Sequence, residues 1–201
     1  MDATDDAACG RWDNSDCTGT PFCPPRCPRF ADRDGEAMIV ELAQQADYYP
    51  LVSMYDEMGA EQQTMGIPPL TRGRVESWIE RLYRHGWNLI AKHDGRVVGH
   101  VGVTPTESDE PEFVIFIAPE YQNRGLGSEL MKHVIAYASD RGYDALTLDV
   151  ARENRRAITV YRNVDFEVTG TNASEVEMVL SLDKPIAKES QLPPGKRDQC
   201  A

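Results

Sequence analysis

Apolar residues change rhythm several times along this chain, and each change predicts an element. From Ala37 the alternation of Met38, Val40 and Leu42 has the period of a half-buried strand. Asp47 to Met58 then reads as a helix with Leu51, Tyr55 and Met58 on one side, Asp47 suited to cap it and Gly59 ending it. After a loop with Gly66, Pro68 and Pro69, the residues Val75, Trp78, Ile79 and Leu82 fall at i, i+3, i+4 and i+7, a second helix that closes at Gly86. Trp87 to Lys92 and Val97 to Val103 are strands joined across Asp94-Gly95, a strong hairpin signal.

Phe113 to Ile117 is an unbroken β-branched and aromatic run, which predicts a central strand buried on both faces; Pro119 ends its ladder. From Leu126 the apolar positions Leu130, Met131, Val134, Ile135 and Ala138 keep helical spacing until Gly142. A strand over 145–150, a helix over 155–163 and a closing hairpin follow, the hairpin from Phe166 to Thr169 and the alternating Val176, Met178, Leu180 and Leu182. Strands interleaved with helices place the chain in the α/β (α+β) class. No internal repeat is apparent.

Residues 1–36 are a different text, with Cys9, Cys17, Cys23 and Cys27 among prolines 21, 24, 25 and 28 and few aliphatic residues. Such a segment cannot bury a core of its own. Four cysteines within 19 residues of a cytoplasmic chain suggest zinc before disulfide, because thiols stay reduced there and zinc takes four sulfurs. The spacing C-x7-C-x5-C-x3-C is not a standard pair of knuckles, so a zinc site, free or disulfide-linked cysteines, and an unstructured leader all stay open. Residues 183–201, with prolines 185, 193 and 194, scattered charges and an unpaired Cys200, read as a disordered polar tail.

No run approaches the length of a membrane span, and no basic flank precedes an apolar run at the N-terminus, so the chain reads as cytoplasmic with no membrane partner. The formal charge of -12, from 33 acidic and 21 basic residues, argues against nucleic acid. It fits an acidic surface adapted to high salt or an acidic mouth for a cationic amine; Asp2, Asp5, Asp6, Asp13 and Asp16, far from the patterned region, favour the surface.

The stretch with most chemistry is Gln122-Asn123-Arg124-Gly125-Leu126-Gly127-Ser128, the turn from the central strand into the helix that follows. A helix start offers orphan N–H donors and the positive end of a dipole, and two glycines let an anion reach the backbone. Gly-Leu-Gly is also an ordinary tight turn. Leu130 in place of a third glycine disfavours a dinucleotide fingerprint, and a P-loop would need a Gly-Lys pair.

Gln122-x-x-Gly125-x-Gly127 after Ala118-Pro119-Glu120-Tyr121 resembles the acyl-CoA pyrophosphate loop of GNAT-superfamily N-acyltransferases. Downstream, Asn154, Ala157, Ile158, Tyr161 and Phe166 resemble the family's N-x-x-A-x-x-x-Y-x-x-x-G-F run; the resemblance covers residues 37–182. It implies a mixed, mostly antiparallel sheet of about seven strands flanked by about four helices. It further implies acetyl-CoA as co-substrate and direct transfer of its acetyl group to a primary amine on a protein or small molecule, by a single chain or a homodimer. The alternative is a non-catalytic acyl-CoA-binding protein recruited through its cysteine-rich leader.

Carried over residue by residue, the resemblance assigns the pyrophosphate to Gln122, Asn123, Arg124, Gly125, Leu126, Gly127 and Ser128, and the pantetheine arm to the backbone of Phe116, Ile117 and Ala118. Ile117 N–H becomes the donor to the acyl oxygen. Tyr161 protonates the leaving sulfur, and Asn154 bonds the pantetheine amides, caps the fourth helix, or does both. Glu112 is the first candidate for the base, with Glu110, His100 or a water chain as alternatives. His85, His93 and His133 read as helix-end, turn and helix-surface residues. Asp165 stands where the family has glycine, so the turn there calls for an aspartate in a left-handed conformation. The acceptor-reading loops, Gly59 to Thr71, Thr104 to Pro111 and Gly170 to Ser174, carry no interpretable motif.

Overall fold

The computed structural model describes residues 12–59 and 68–197. Arg29–Ala31 (β1), Ala37–Leu42 (β2), Trp87–His93 (β3), Arg96–Thr104 (β4), Glu112–Ile117 (β5), Ala145–Ala151 (β6), Glu167–Thr171 (β7) and Glu175–Ser181 (β8) form one sheet, ordered β1-β2-β3-β4-β5-β6-β8-β7. Every neighbouring pair is antiparallel except β5 with β6. Six α-helices among the described residues accompany it: Tyr48–Asp56 (α1), Arg72–His85 (α2), Leu126–Asp140 (α3), Arg155–Arg162 (α4), Pro185–Ser190 (α5) and Pro194–Arg197 (α6). No helix among the described residues is long and apolar enough to cross a membrane.

Side-chain alternation along β4 sorts the helices onto two faces. A Cβ on Gly99 would meet Leu130 and Leu126 of α3, whereas one on Gly102 would meet Leu82 of α2. The α3 side is filled by Leu126, Leu130, Met131 and Ile135 against Leu146, Met178 and Leu180, all essentially inaccessible. The Asp94-Gly95 turn has positive φ at both residues, as the hairpin signal requires, and Asp165 sits at φ 65 where the family pattern has glycine.

Two segments differ from expectation. Residues 29–31, read as part of the cysteine- and proline-rich leader, add an eighth strand, so the sheet is wider than the about seven strands the resemblance implies. Its turn is held by Asp32, whose carboxylate accepts from the N–H groups of Asp34 and Glu36, with Gly35 at φ 84. Residues 185–197, read as a disordered tail, form α5 and α6, and Ala187 is fully buried.

A polar knot ties both segments to the core, which is why apolar periodicity did not show them. The buried Arg26 guanidinium donates to both carboxylate oxygens of Glu129 in α3, at 2.7 and 3.1 Å, and to Ser190 O at 2.8 Å. His133, read as a helix-surface residue, is fully buried beneath this knot and reaches Cys27 O at 3.2 Å through Nε2. Burial pushes the Glu129 carboxyl up, but the hydrogen bonds and charge of Arg26 outweigh it and hold the group below its ordinary range.

The expected zinc cluster does not form among the described residues. No three His, Cys, Asp or Glu side chains gather there to hold a metal. Cys17, Cys23 and Cys27 are free thiols; the last two take separate local partners, Cys23 Sγ accepting from Thr20 N at 3.3 Å and Cys27 Sγ from Asn14 Nδ2 at 3.3 Å. Cys9 and Cys200 lie outside the described residues.

Replacing Arg26 with Met leaves the Glu129 carboxylate buried without its cation, which costs about 3–5 kcal/mol for a broken buried pair. Urea denaturation should show that loss, and adding Glu129→Leu should restore part of it; an Arg26→Met chain as stable as the parent would mean that the pair is not what holds the leader down.

Candidate active site

The site is a consequence of how two strands part. Parallel β5 and β6 share one ladder position, Glu112 with Thr147, beside which Thr147 N donates to Pro111 O at 3.1 Å. From there β5 stays with β4 up to Ile117, while β6 stays with β8 along its full length. The gap between them is a cleft of about 600 Å³. Val114 to Ile117 line it and are only half-buried, so the expectation of a strand covered on both faces fails where the sheet opens.

The ladder also fixes where the backbone of β5 points. Ala118 N donates to Val98 O at 3.0 Å, so by two-residue alternation Phe116 and Val114 face β4 and the amides of Ile115 and Ile117 face the gap. Gln122 Nε2 donates to Ile117 O at 3.2 Å. The side chains alternate as well. Phe113 packs its ring on Tyr161 and Phe166, on the α4 side, and Phe116 packs on Tyr55 and Trp78, on the side of α1 and α2. The gap is thus bordered by both sides of the sheet.

At its upper end stands the first turn of α3. Asn123 and Gly125 take positive φ, 66 and 93, which swings the chain so that the helix begins directly behind the strand. A Cβ on Gly127 would lie 3.1 Å from Ile117 Cδ1, so the glycine lets the helix start press against β5. Gln122, Asn123, Gly125, Gly127 and Ser128 line the cleft. The orphan N–H groups of this turn form an anion cradle.

Two residues assigned to the cofactor, Ala118 and Arg124, stand elsewhere, and Leu126 keeps only its backbone at the cradle, its side chain being buried in the core. Ala118 is also buried, with its N–H already spent on Val98. Arg124 is drawn off the cradle by two carboxylates: its Nε lies 2.5 Å from Asp32 and 3.0 Å from Asp34, and the guanidinium sits 5.0 Å from the Tyr121 ring centroid. In turn, two arginines not singled out by sequence, Arg33 and Arg156, do line the cleft. Asp34-Gly35 is a hairpin signal that would have brought Arg33 into view.

Lower in the cleft are Asn154, Tyr161 and Glu112. Asn154 caps α4, its Oδ1 accepting from Ala157 N at 3.1 Å, which leaves the amide NH2 as its remaining donor. Tyr161 is 9% exposed, and burial pushes its phenol up to about 12, so it carries its proton at neutral pH. Glu112 is exposed at the start of β5; desolvation, then the charge of Asp149, raises its carboxyl. Glu112, Asp149, Glu175 and Glu177 share the sheet face on which α1 and α2 lie, and Asp149 is itself raised by desolvation and then by the two β8 carboxylates.

Of the alternative bases, Glu110 sits in the preceding loop and does not line the cleft. His100 is fully buried with both ring nitrogens engaged. Asn88 Oδ1, 3.0 Å away, can only accept, so Nε2 carries the hydrogen and Nδ1 accepts from Tyr55 O–H at 2.6 Å. Desolvation lowers its pKa to about 3. It holds Tyr55 in the aromatic wall instead of moving a proton to substrate.

Comparison with known proteins agrees with this geometry. The model of the Acetyltransferase (GNAT) family matches residues 51–166. The L-amino acid N-acetyltransferase AaaT of Escherichia coli K12 is 30% identical over 141 residues, 67% of this chain and 85% of that protein. The probable N-acetyltransferase camello of Xenopus tropicalis is 34% identical over 110 residues, 52% of this chain and 48% of that one. The chain spans about half the length of several curated relatives it matches, among them camello and an uncharacterized N-acetyltransferase of Mycobacterium bovis, at 48% and 54%. Among solved structures, the GNAT domain of Streptomyces (S.) lividans PAT superposes with TM-score 0.66 at 22% identity, covering 76% of this chain and 95% of that one. The structure of yncA from Salmonella typhimurium with its cofactor acetyl-CoA gives 0.59 at 20% identity, covering 73% and 95%. The chain belongs to the Acetyltransferase (GNAT) family.

The buried histidines give the fold a pH limit. Desolvation holds His100 at about 3 and His133 at about 4, whereas each returns to about 6.5 when the chain unfolds. Below that value the unfolded chain binds more protons, so the stability these neutral rings supply is present above pH 6.5 and is lost as pH falls toward their folded values. Each histidine should contribute a slope of up to about 1.4 kcal/mol per pH unit in that window. Thermal melts between pH 7 and 4 test this, and His100→Asn should flatten the slope; melts independent of pH over that range would contradict it.

Proposed function

We propose that this chain transfers an acetyl group from acetyl-CoA directly to a primary amine. The observation that carries the reading is the gap between β5 and β6, with a helix N-terminus at one end and a protonated, buried phenol on its wall. The pyrophosphate would lie on the N–H groups from Gly125 to Ser128, and the pantetheine amides would take the place of the missing strand partner, against the inward-facing amides of β5 and the Asn154 side chain. The acetyl-CoA that the yncA structure from Salmonella typhimurium contains, on the same fold, supports that choice of donor.

In this reading Ile117 N–H donates to the thioester oxygen and stabilises the charge that builds there as the amine nitrogen bonds to the carbonyl carbon. The carbon–sulfur bond then breaks, and Tyr161 gives its proton to the departing sulfur. A phenol near 12 is a weaker acid than an exposed thiol, but the low polarity that raises the phenol raises a thiolate's proton affinity as well. Glu112, directly or through water, takes the proton lost by the amine. The raised carboxyl suits that task, because it is a stronger base than an ordinary glutamate. No cysteine lies between residues 28 and 199, so a covalent relay on this domain has no thiol to use.

The acidic sheet face beside the cleft supports a cationic acceptor, since an amine that is protonated in water would approach past Asp149, Glu175 and Glu177 to reach Glu112. Names among the relatives agree with amine acceptors, including an L-amino acid N-acetyltransferase and a spermidine N-acetyltransferase.

Two variants test the reading. Tyr161→Phe should lower kcat by about 10²–10⁴-fold while leaving the acetyl-CoA affinity near that of the parent. Gly125→Glu, which forces a side chain and a negative charge onto a left-handed position, should abolish the calorimetric signal of acetyl-CoA binding. Unchanged turnover in Tyr161→Phe would remove the acid role, and a folded parent with no acetyl-CoA binding would remove the donor.

A further inference from the structure

The corner of the cleft that would receive the diphosphate of acetyl-CoA is electrostatically unusual. Its own loop cation, Arg124, faces two carboxylates, Asp32 and Asp34, at 2.5 and 3.0 Å. One guanidinium against two carboxylates leaves that corner one charge negative, which would oppose a diphosphate. Arg33, between the two aspartates in sequence, is exposed and lines the cleft. Its Cγ and Nε lie 3.7 and 3.8 Å from where a Cβ on Gly125 would stand, directly over the cradle. Its backbone N–H donates to Arg124 O at 2.9 Å, so the β1–β2 turn and the phosphate loop are bonded both by main chain and by side chains.

We infer that Arg33 supplies the cationic contact to the diphosphate of acetyl-CoA, and that Arg124 acts as a positioning residue that locks the β1–β2 turn over the cradle. The inference rests on the proposed acetyl-CoA site. The geometry explains why the turn is built as it is. Asp32 is pinned by Asp34 N, Glu36 N and Arg124, and its side chain is inaccessible, so the residue after it is held in one place while its own long side chain stays free to reach the ligand. A guanidinium can grip two phosphate oxygens at once, complementing the single-file N–H donors of the helix start. Residues 29–36 precede the family match at 51–166, so this contact comes from outside the matched region.

Calorimetric titration of the parent chain, Arg33→Ala and Arg33→Lys with acetyl-CoA, 3′-dephospho-acetyl-CoA and S-acetyl-pantetheine tests the assignment. Arg33→Ala should weaken acetyl-CoA about tenfold and the dephospho form by the same factor, with Arg33→Lys recovering part of the loss. Acetyl-pantetheine, which has no phosphate, should bind the parent and Arg33→Ala with equal affinity, and the melting temperatures should match. Equal acetyl-CoA affinity in the parent and Arg33→Ala, or an equal penalty on acetyl-pantetheine, would overturn the inference. A loss seen only with the 3′-phosphate present would move the contact off the diphosphate. A parent that binds none of the three compounds would instead remove the acetyl-CoA site itself.

Discussion

One missing ladder governs this molecule. A parallel pair of strands that stayed zipped from Glu112 to Ile117 would satisfy the β5 backbone internally and leave nothing for a ligand to do. Because β6 follows β8 and β5 follows β4, the two strands separate after a single bridge, and buried-quality hydrogen-bonding groups are left facing a cleft. Backbone donors that have lost their strand partner are costly without another partner. An extended amide-containing arm is the kind of molecule that fits that deficit, since it can complete the ladder one bond at a time. The aromatic wall of Tyr55, Trp78 and Phe116 on one side and of Phe113, Tyr161 and Phe166 on the other keeps the opening from collapsing.

The two walls also divide labour. On the α3 and α4 side the surroundings are apolar and raise the phenol of Tyr161. On the opposite side desolvation, and then the charge of Asp149, raises Glu112. The same sheet, seen from its two faces, therefore carries a phenol that keeps its proton and a carboxylate that accepts one more readily than usual. The buried triad of Tyr55, His100 and Asn88 keeps the wall rigid without offering a competing proton acceptor, because each ring nitrogen of the histidine is already committed.

Much of the fold was legible because its core elements are periodic. The two helices before β3, the Asp94-Gly95 hairpin, the helix after Gly127 and the closing hairpin all follow from apolar spacing and turn residues, and the glycine pair located the cradle. What stayed hidden is held by polar contacts at long sequence range. Arg26 meets Glu129 and Ser190, 103 and 164 positions away, and no local pattern announces such a pairing. The same blindness hid what becomes of Arg124, since a motif names the residue type in the loop but not the carboxylates that arrive from the β1–β2 turn. His133 was misplaced for a related reason: a polar residue on an amphipathic helix is assigned to the outside unless its buried partners are known.

The knot at Glu129 also bears on what counts as one unit of folding. The carboxylate belongs to the first turn of α3, a few residues from the glycines of the cradle, and the cation that neutralises it comes from a segment well before the family match at 51–166. A chain trimmed to that match would lose β1 and β2 at one edge of the sheet and β7 and β8 at the other, uncover the side of α3 on which α5 rests, and strand a charge in the first turn of that helix. For this protein the family match and the packed structure therefore differ in extent. The boundary drawn by ancestry runs through the middle of the structure drawn by electrostatics.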